Sequence, residues 1–186
     1  MMFMKGEKCE LRALDENDAY QVSAYTEMVN AGWTLQHVHT GSVPMRQIDV
    51  KQAWAGARKE GDLLWGVWTD NKIVGVTQLS DHRDIYKSWQ FIIIIFDPSA
   101  VGIGIGKEVT RLVVNYAFQR LNSHRVWLGV NAENLRAVKT YLDVGFKVEG
   151  TLRDEIFCFG HYCDVIRMGV LENEWKSLSL VKAPSA

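Results

Sequence analysis

The chain has 186 residues, of which 47% are hydrophobic and 23% charged, and its formal net charge is −1. This composition is ordinary for a soluble globular protein, and the near-neutral charge argues against nucleic acid or an anionic membrane as the main partner. The length suits one domain, and we see neither a membrane-spanning run nor a secretion signal, so we expect a cytoplasmic protein.

The three cysteines are too few for a disulfide framework and fit a reducing compartment. Cys158 and Cys163 flank a predicted turn that contains His161, which raises the question of a metal site. Their spacing is not that of a zinc motif, and no second pair of ligands follows. We therefore interpret them as partly buried thiols and expect no metal.

The N-terminal third is predicted to hold one strand and two helices. Residues 9–13 alternate in polarity and predict the first strand. Helices are predicted over residues 15–30 and over residues 48–60, and Gly61 ends the second one. The segment 31–45 between them is irregular.

The middle of the chain predicts a hairpin followed by a buried strand. Residues 63–69 and 73–80 pair around a turn at Asp70-Asn71, and a polar loop follows over residues 81–84. The next strand, residues 89–96, contains four consecutive isoleucines. That run predicts a central strand covered on both faces.

The remaining predicted elements, in chain order, are a helix over 107–121, a strand over 125–130, a helix over 134–144, strands over 147–157 and 162–171, and a loose tail over 177–186. A strand–helix–strand unit joins parallel strands, whereas hairpins join antiparallel ones. The predicted fold class is therefore α/β (α+β): a single-domain, mixed and mostly antiparallel sheet of about seven strands with one central parallel pair, flanked by about four helices.

A glycine-rich turn, Val-Gly-Ile-Gly-Ile-Gly-Lys over residues 101–107, connects the buried strand to the next helix. Its glycines let the backbone approach a ligand, and the free N–H groups of a helix start attract an anion. The spacing fits neither a Walker A loop nor a Rossmann fingerprint. The turn predicts a phosphate-binding site, and the alternative is a turn that only permits close helix–strand packing.

The ordered series of motifs resembles the GNAT superfamily of N-acetyltransferases, in the branch of the ribosomal-protein N-terminal and spermidine acetyltransferases. Gly104 and Gly106 match the glycines of that family's acyl-CoA loop, while Val101 stands where Arg or Gln is usual. Residues 131–146 match its asparagine, helix and YxxxGF segment. The pattern continues through Gly150, Arg153, Asp154, Gly160, Asp164, Met168 and Trp175. The similarity is dense from 63 to 175 and weak before that.

This resemblance implies transfer of an acetyl group from acetyl-CoA to a primary amine, by direct attack in a ternary complex and without a metal. It implies that Asn134 binds the pantetheine arm and that Tyr141 protonates the departing thiolate, with a backbone N–H of the strand over residues 91–96 facing the oxyanion. On a helix these two residues lie on one face, about 10 Å apart. The alternatives are a helix cap for Asn134 and a core tyrosine for Tyr141. The implied cofactor-binding residues are Ile94, Ile95, Val101, Gly102, Ile103, Gly104, Ile105, Gly106, Lys107 and Asn134.

The general base and the acceptor amine are not identified by the sequence. Where many relatives carry a glutamate near the start of strand 89–96, this chain has Gln90. The other candidates on the substrate side are Asp81, His82, Asp84, His37 and His39. Neutralising an α-amine at pH 7 costs about 1 kcal/mol and a lysine-like amine about 4–5 kcal/mol. The missing carboxylate therefore favours a low-pKa amine, such as a peptide N-terminus or an amino sugar, or else a water relay.

Several acceptors remain open: a protein N-terminus, an amino sugar, a polyamine or another small amine. An acyl-CoA-binding sensor or scaffold without catalysis is the rival interpretation. The β-rich C-terminal hairpin makes a homodimer plausible, because an apolar edge strand can pair between chains.

Overall fold

A computed structural model describes residues 3–14, 61–158 and 160–181. Its strands are β1 (Phe3–Lys5), β2 (Glu10–Ala13), β3 (Leu63–Thr69), β4 (Lys72–Arg83), β5 (Ser88–Ile95), β6 (Arg125–Asn131), β7 (Lys147–Cys158) and β8 (His161–Leu171). Its α-helices are α1 (Ile105–Arg120), α2 (Leu135–Val144) and α3 (Glu172–Val181), and short 3-10 helices occupy Asp84–Tyr86 and Pro98–Ala100. The helices predicted over residues 15–30 and 48–60, together with His37 and His39, lie outside the described residues.

The eight strands form one sheet in the order β1-β2-β3-β4-β5-β6-β8-β7. Strands β5 and β6, joined through α1, are parallel, and every other neighbouring pair of these eight is antiparallel. This confirms the predicted mixed sheet with one central parallel pair. The strand that the sequence analysis missed is β1, whose three residues are too few to show a clear alternation of polarity.

The β3–β4 hairpin turns at Asp70 and Asn71, whose φ angles of 48° and 61° suit the tight turn that the sequence predicts. Strand β4 continues to Arg83, so the prediction of a polar loop over residues 81–84 is wrong for its first three residues. The register shifts between Ser80 and Arg83, and Asp81 has a φ of 47°. This irregularity, a β-bulge, lets polar residues extend a strand at its exposed end.

The core lies between the sheet and α1. Val109, Val113 and Ala117 of α1 are fully buried and belong to the same apolar cluster as Phe91 of β5 and Leu128 of β6. Their spacing of four residues places them on one face of the helix, as the apolar periodicity predicts. This packing fixes the start of α1 next to the end of β5.

Strands β5 and β6 pair only near their beginnings, where Ser88, Trp89 and Gln90 face residues 125–127. Beyond Gln90 the two strands separate. Residues 92–95, the four isoleucines, are consequently only half-buried. The central position predicted for this strand is confirmed, but complete cover on both faces is not, because the separation opens a cleft beside it.

The C-terminal part ends in α3, which continues to Val181 where the sequence analysis expected a loose tail from residue 177. Trp175 fixes this helix, since its ring packs against Phe118 at a centroid distance of 6.2 Å and its Nε1 donates to Asn115. Each helix within the described residues is too short or too polar to cross a membrane.

Candidate active site

The glycine-rich turn has the backbone geometry of a ligand-binding loop. Gly102 and Gly104 have φ angles of 81° and 93°, which side-chain-bearing residues rarely adopt. Gly104 caps α1 without a side-chain hydrogen bond, so the N–H groups of the first helical turn keep their affinity for an anion. A Cβ added at Gly106 would meet no atom within 4 Å, so no other part of the chain packs against this glycine. The space next to it is open to a ligand.

The turn between β1 and β2 forms hydrogen bonds with the glycine-rich turn and with the start of α1. Lys8 Nζ donates to the carbonyl oxygen of Ile103 at 2.7 Å. The Glu108 carboxylate accepts hydrogen bonds from the backbone N–H groups of Glu7 and Lys8. Neither side chain can be assigned to the site from the sequence, because the contacts join segments about a hundred residues apart and no local pattern marks them.

A cavity of about 580 Å³ runs from the glycine-rich turn along the separated part of β5 to α2. The predicted site residues that line it are Ile94, Ile95, Val101, Gly102, Gly104, Gly106, Lys107, Asn134 and Tyr141. The structure therefore brings residues of β5, of the glycine-rich turn and of the start and middle of α2 to one cavity, as the family resemblance implies. Arg136 and Lys139 add positive charge to the lining, which suits a phosphorylated ligand.

Two predicted residues do not bring their side chains to the cavity. Ile105 is only 2% exposed and packs in the core, while the Ile103 side chain is 55% exposed. Successive side chains at a helix start point in different directions. The side chains of Ile103 and Ile105 therefore cannot both contact a ligand bound at the turn. Their backbone groups remain part of the turn.

Lys107, one of the implied cofactor-binding residues, forms an ion pair with Asp143 at 3.0 Å. The hydrogen bond and charge of Lys107, together with Lys139, lower the pKa of Asp143 below its ordinary value. Asp143 therefore stays ionised and ties the start of α1 to the end of α2.

Asn134 caps α2, since its Oδ1 accepts the N–H of Ala137 at 3.1 Å. Its Nδ2 has no hydrogen-bond partner within the part of the chain that the structure describes, and the residue lines the cavity. The cap interpretation is confirmed, and it leaves the amide nitrogen available to a ligand. One side chain can thus order the helix and contact the cofactor.

Tyr141 lies on the same helix, with its ring between those of Phe91 and Phe146 at centroid distances of 6.4 and 5.9 Å. Burial raises the pKa of the Tyr141 phenol above its ordinary value of about 10. The phenol is therefore protonated at neutral pH. It can donate a hydrogen bond into the cavity, as an acid for a leaving group must.

Of the residues predicted on the substrate side, those that the structure describes do not line this cavity. Asp81 pairs with Arg83 at 3.1 Å and has a side chain 43% exposed, and Gln90 is half-buried in register with Ser80 and Trp127. His82 stacks on Trp89 and pairs with Asp84. His39, predicted on the substrate side, lies outside the described residues.

Comparisons with known proteins identify the family of the chain. Residues 8–147 match the family model described as the acetyltransferase (GNAT) domain, and the chain belongs to this family. It is 36% identical over 107 residues to a spermidine N(1)-acetyltransferase of Vibrio cholerae and 32% identical over 106 residues to that of Escherichia coli strain K12. These matches cover 58% and 57% of this chain but only 61% and 56% of those curated relatives.

The fold is also similar to the crystal structure of the spermidine N-acetyltransferase from Vibrio cholerae in complex with CoA and spermine. The TM-score is 0.80 at 26% sequence identity, and the match covers 92% of this chain and 99% of that one. The family and the fold class implied by the resemblance are confirmed.

Proposed function

We propose that the protein transfers an acetyl group from acetyl-CoA to a primary amine. The observation that carries this proposal is one continuous cavity. It links a helix start that has no side-chain cap, suited to a diphosphate, with the protonated phenol of Tyr141. On helix α2, Asn134 and Tyr141 are separated by about 10 Å, a length that an extended pantetheine arm can follow. Membership of the GNAT family supports the same donor.

Each part of the cavity has a defined task in this reaction. The backbone N–H groups of the glycine-rich turn bind the diphosphate, and Asn134 Nδ2 donates to an amide of the pantetheine arm. Beyond Gln90, the peptide groups of β5 that face away from β4 are not paired with β6. One of these N–H groups stabilises the oxyanion when the amine attacks the thioester carbonyl.

The proton balance of the reaction requires a proton donor for the sulfur, and the position of Tyr141 in the cavity supports it in that role. The new C–N bond forms as the C–S bond breaks, so the amine loses a proton and the thiolate gains one. The Tyr141 hydroxyl donates a hydrogen bond to the departing sulfur and passes it a proton. The phenol recovers its proton from the amine through solvent.

For the acceptor, we propose a polyamine as the first class to test, because both curated relatives are named for spermidine and the related crystal structure contains spermine. One observation favours a second class. Among the residues that the structure describes, the carboxylate that lines the cavity is Asp143, and it is ion-paired with Lys107. A cavity whose carboxylate, among the described lining residues, is already ion-paired favours amines of low pKa, such as a peptide N-terminus or an amino sugar.

Two measurements test the proposal. Calorimetric titration with acetyl-CoA and CoA checks the donor, and a thiol-release assay over spermidine, spermine, lysine, an α-amino peptide and glucosamine checks the acceptor. We expect binding of both forms of the cofactor and turnover of spermidine and spermine. Binding without turnover of any amine would instead support the sensor interpretation, and failure to bind CoA would reject both.

We also propose that the protein is cytoplasmic, where acetyl-CoA is used, and that it forms a homodimer through β7. This strand lies at the edge of the sheet, and Val148, Leu152 and Phe157 on it are exposed apolar side chains. A long edge strand of this kind is suited to pairing with a second chain. Light scattering of the native protein and of Val148→Lys distinguishes a dimer from a monomer, and a native monomer would reject the pairing.

A further inference from the structure

Three side chains that can bind a metal, those of Glu133, His161 and Cys163, meet near the turn of the β7–β8 hairpin, outside the cavity described above, and the thiol of Cys158 lies beside that of Cys163. The Sγ atoms of Cys158 and Cys163 are 2.8 Å apart, and Cys163 Sγ is 3.3 Å from His161 Nε2. His161 Nε2 is 3.0 Å from Glu133 Oε1. The ligand atoms of Glu133, His161 and Cys163 all lie within 4.8 Å of one another.

The fold brings these residues together from two places in the chain. His161 and Cys163 are two residues apart on β8 and so lie on one face of it, and Cys158 is opposite His161 in the hairpin. Glu133 comes from the turn between β6 and α2. That turn is held against β8 by a hydrogen bond from the Ala132 N–H to the Asp164 carbonyl at 2.9 Å. The spacing of the cysteines alone gave no metal motif, because the carboxylate is supplied by a distant turn.

The buried Asn131 forms hydrogen bonds with two parts of the cluster. It is only 8% exposed, and its Nδ2 lies 3.5 Å from Cys158 Sγ. Its Oδ1 accepts the backbone N–H of Glu133 at 2.9 Å. Hydrogen bonds to a ligating sulfur and to the segment that carries a ligand are the outer contacts that metal sites use to orient their ligands.

We propose that Cys158, Cys163, His161 and Glu133 bind a zinc ion. Two thiolates, an imidazole and a carboxylate make a four-coordinate set of the kind that zinc accepts. From zinc–ligand bond lengths of about 2.0–2.3 Å, a tetrahedral site separates two sulfurs by about 3.7 Å and sulfur from nitrogen by about 3.5 Å. Cys158 Sγ is not among the ligand atoms that lie within 4.8 Å of one another, so the proposal requires its side chain to rotate and the two sulfurs to move apart by about 1 Å.

The surroundings of the cluster suit a structural ion. Cys163 is 2% exposed, so one side of the site is closed, whereas His161 and Glu133 are exposed and leave a path for the ion to enter. The ion would join the β7–β8 hairpin to the turn immediately before Asn134. Bound zinc then restricts the residue that caps α2 and lines the cofactor cavity.

The test uses the full chain, purified with its thiols reduced and stripped of metal with a chelator. Zinc is titrated in competition with a chromophoric chelator, and cobalt is titrated separately to detect its visible and thiolate charge-transfer absorption. We expect stoichiometric binding of both metals and a higher melting temperature with zinc. Glu133→Gln and His161→Ala, both at exposed positions, and Cys158→Ser weaken the binding, and Asn131→Ala lowers zinc affinity by about 10–100-fold.

Two variants serve as controls. Cys9→Ala removes the third thiol, which lies in the N-terminal region, and His82→Ala removes an imidazole that stacks on Trp89. Both should bind zinc as the native chain does. The proposal is overturned if the reduced native chain binds no zinc, if the ligand variants bind it as tightly as the native chain, or if a Cys158–Cys163 disulfide forms and the reduced form still takes up no metal.

The outcome is independent of the proposed acetyl transfer, because metal content and affinity are measured without acetyl-CoA or an amine. A chain that binds zinc but acetylates nothing retains this proposal and loses the earlier one. A chain that acetylates an amine but binds no zinc retains the proposed acetyl transfer and loses the zinc proposal.

Discussion

Lys8 Nζ donates a hydrogen bond to the carbonyl oxygen of Ile103 at 2.7 Å, joining two residues 95 positions apart. The contact fixes the peptide immediately before Gly104, whose left-handed conformation starts α1. A Cβ at Gly104 would lie 2.9 Å from the same ammonium group. The shape of the anion-binding turn thus depends on a side chain from the first hairpin as well as on its own glycines.

Lys8→Met should raise the KM for acetyl-CoA by about 3–10-fold, since it removes one charge-assisted hydrogen bond that orders the turn. The kcat should change little, because Tyr141 and β5 are untouched. Steady-state kinetics with varied acetyl-CoA measure both constants. Lys5→Met is the matched control, because Lys5 pairs with Glu10 on the surface. Equal effects of the two substitutions would contradict a role for the Ile103 contact.

The sequence predicted the elements whose signal is local. The Asp70-Asn71 hairpin, the amphipathic α1 and the end of α2 at Gly145 follow from turn residues and apolar spacing, and the structure has each of them. Contacts between distant segments cannot be predicted from local sequence patterns. The Lys8–Ile103 bond and the approach of Glu133 to His161 depend on tertiary folding, which leaves no periodic trace in the chain.

The isoleucine run illustrates the same limit. Four consecutive isoleucines correctly predicted a central strand, but the same pattern is compatible with full burial and with a strand that lines a cleft. The difference lies in the β5–β6 pairing, which stops at Gln90. The separation of the strands explains how Ile94 and Ile95, which the family resemblance implied as cofactor-binding residues, come to line the cavity.

Tyr141→Phe should lower kcat by about 10²–10⁴-fold, because it removes the proton donor for the leaving sulfur while keeping the ring packed against Phe91 and Phe146. The Kd for CoA measured by calorimetry should stay within about twofold, since that change removes no more than part of one hydrogen bond. The exposed Tyr162→Phe is the control. Because burial raises the pKa of Tyr141, native kcat should show no loss from phenol ionisation at pH values up to about 10. An active Tyr141→Phe enzyme would remove Tyr141 from the mechanism.

Gly106→Ala separates the folding role of the turn from its binding role. The new methyl group meets no atom within 4 Å, and a helical alanine is favoured over glycine, so the free energy of unfolding should stay level or rise by about 0.5 kcal/mol. The affinity for CoA should nevertheless fall by at least about tenfold, because the methyl occupies space beside the anion-binding N–H groups. Thermal unfolding and calorimetry measure the two effects.

Gly150→Ala on β7 is the control for that substitution, since its added Cβ also meets no atom within 4 Å and lies on another part of the sheet. It should leave CoA affinity unchanged. If Gly106→Ala binds CoA as tightly as the native protein, the diphosphate does not rest on this turn.

Asn134→Ser and Asn134→Ala distinguish capping from ligand binding. Serine keeps an oxygen that can accept the Ala137 N–H but lacks the amide nitrogen, whereas alanine loses both. We expect alanine to cost about 1 kcal/mol of stability and serine only a few tenths. Both should weaken CoA binding by about 3–10-fold. A serine variant with native CoA affinity would restrict Asn134 to its capping role.

Asp97→Asn tests whether the charge of Asp97, which lies between the end of β5 and the glycine-rich turn, contributes to the free energy of unfolding. Asp97 Oδ1 accepts hydrogen bonds from the N–H and Oγ of Ser99, and Oδ2 pairs with Lys72 at 2.6 Å. Burial of the carboxyl opposes ionisation, but the hydrogen bonds from Lys72 and Ser99 prevail and lower the pKa of Asp97 below its ordinary value. The ionised side chain therefore stabilises the fold at neutral pH.

For a carboxyl whose pKa is lowered by folding, that contribution is complete above its unfolded pKa of about 3.9 and is lost as the pH falls through the folded value. Asp97→Asn should thus cost about 1–2 kcal/mol in the free energy of unfolding at pH 7, and the difference from the native chain should shrink progressively below about pH 4. Urea unfolding at a series of pH values measures this, with Asp84→Asn as the control because its side chain is 90% exposed. A difference that stays constant down to the lowest pH would show that the substitution acts through packing and not through the charge of Asp97.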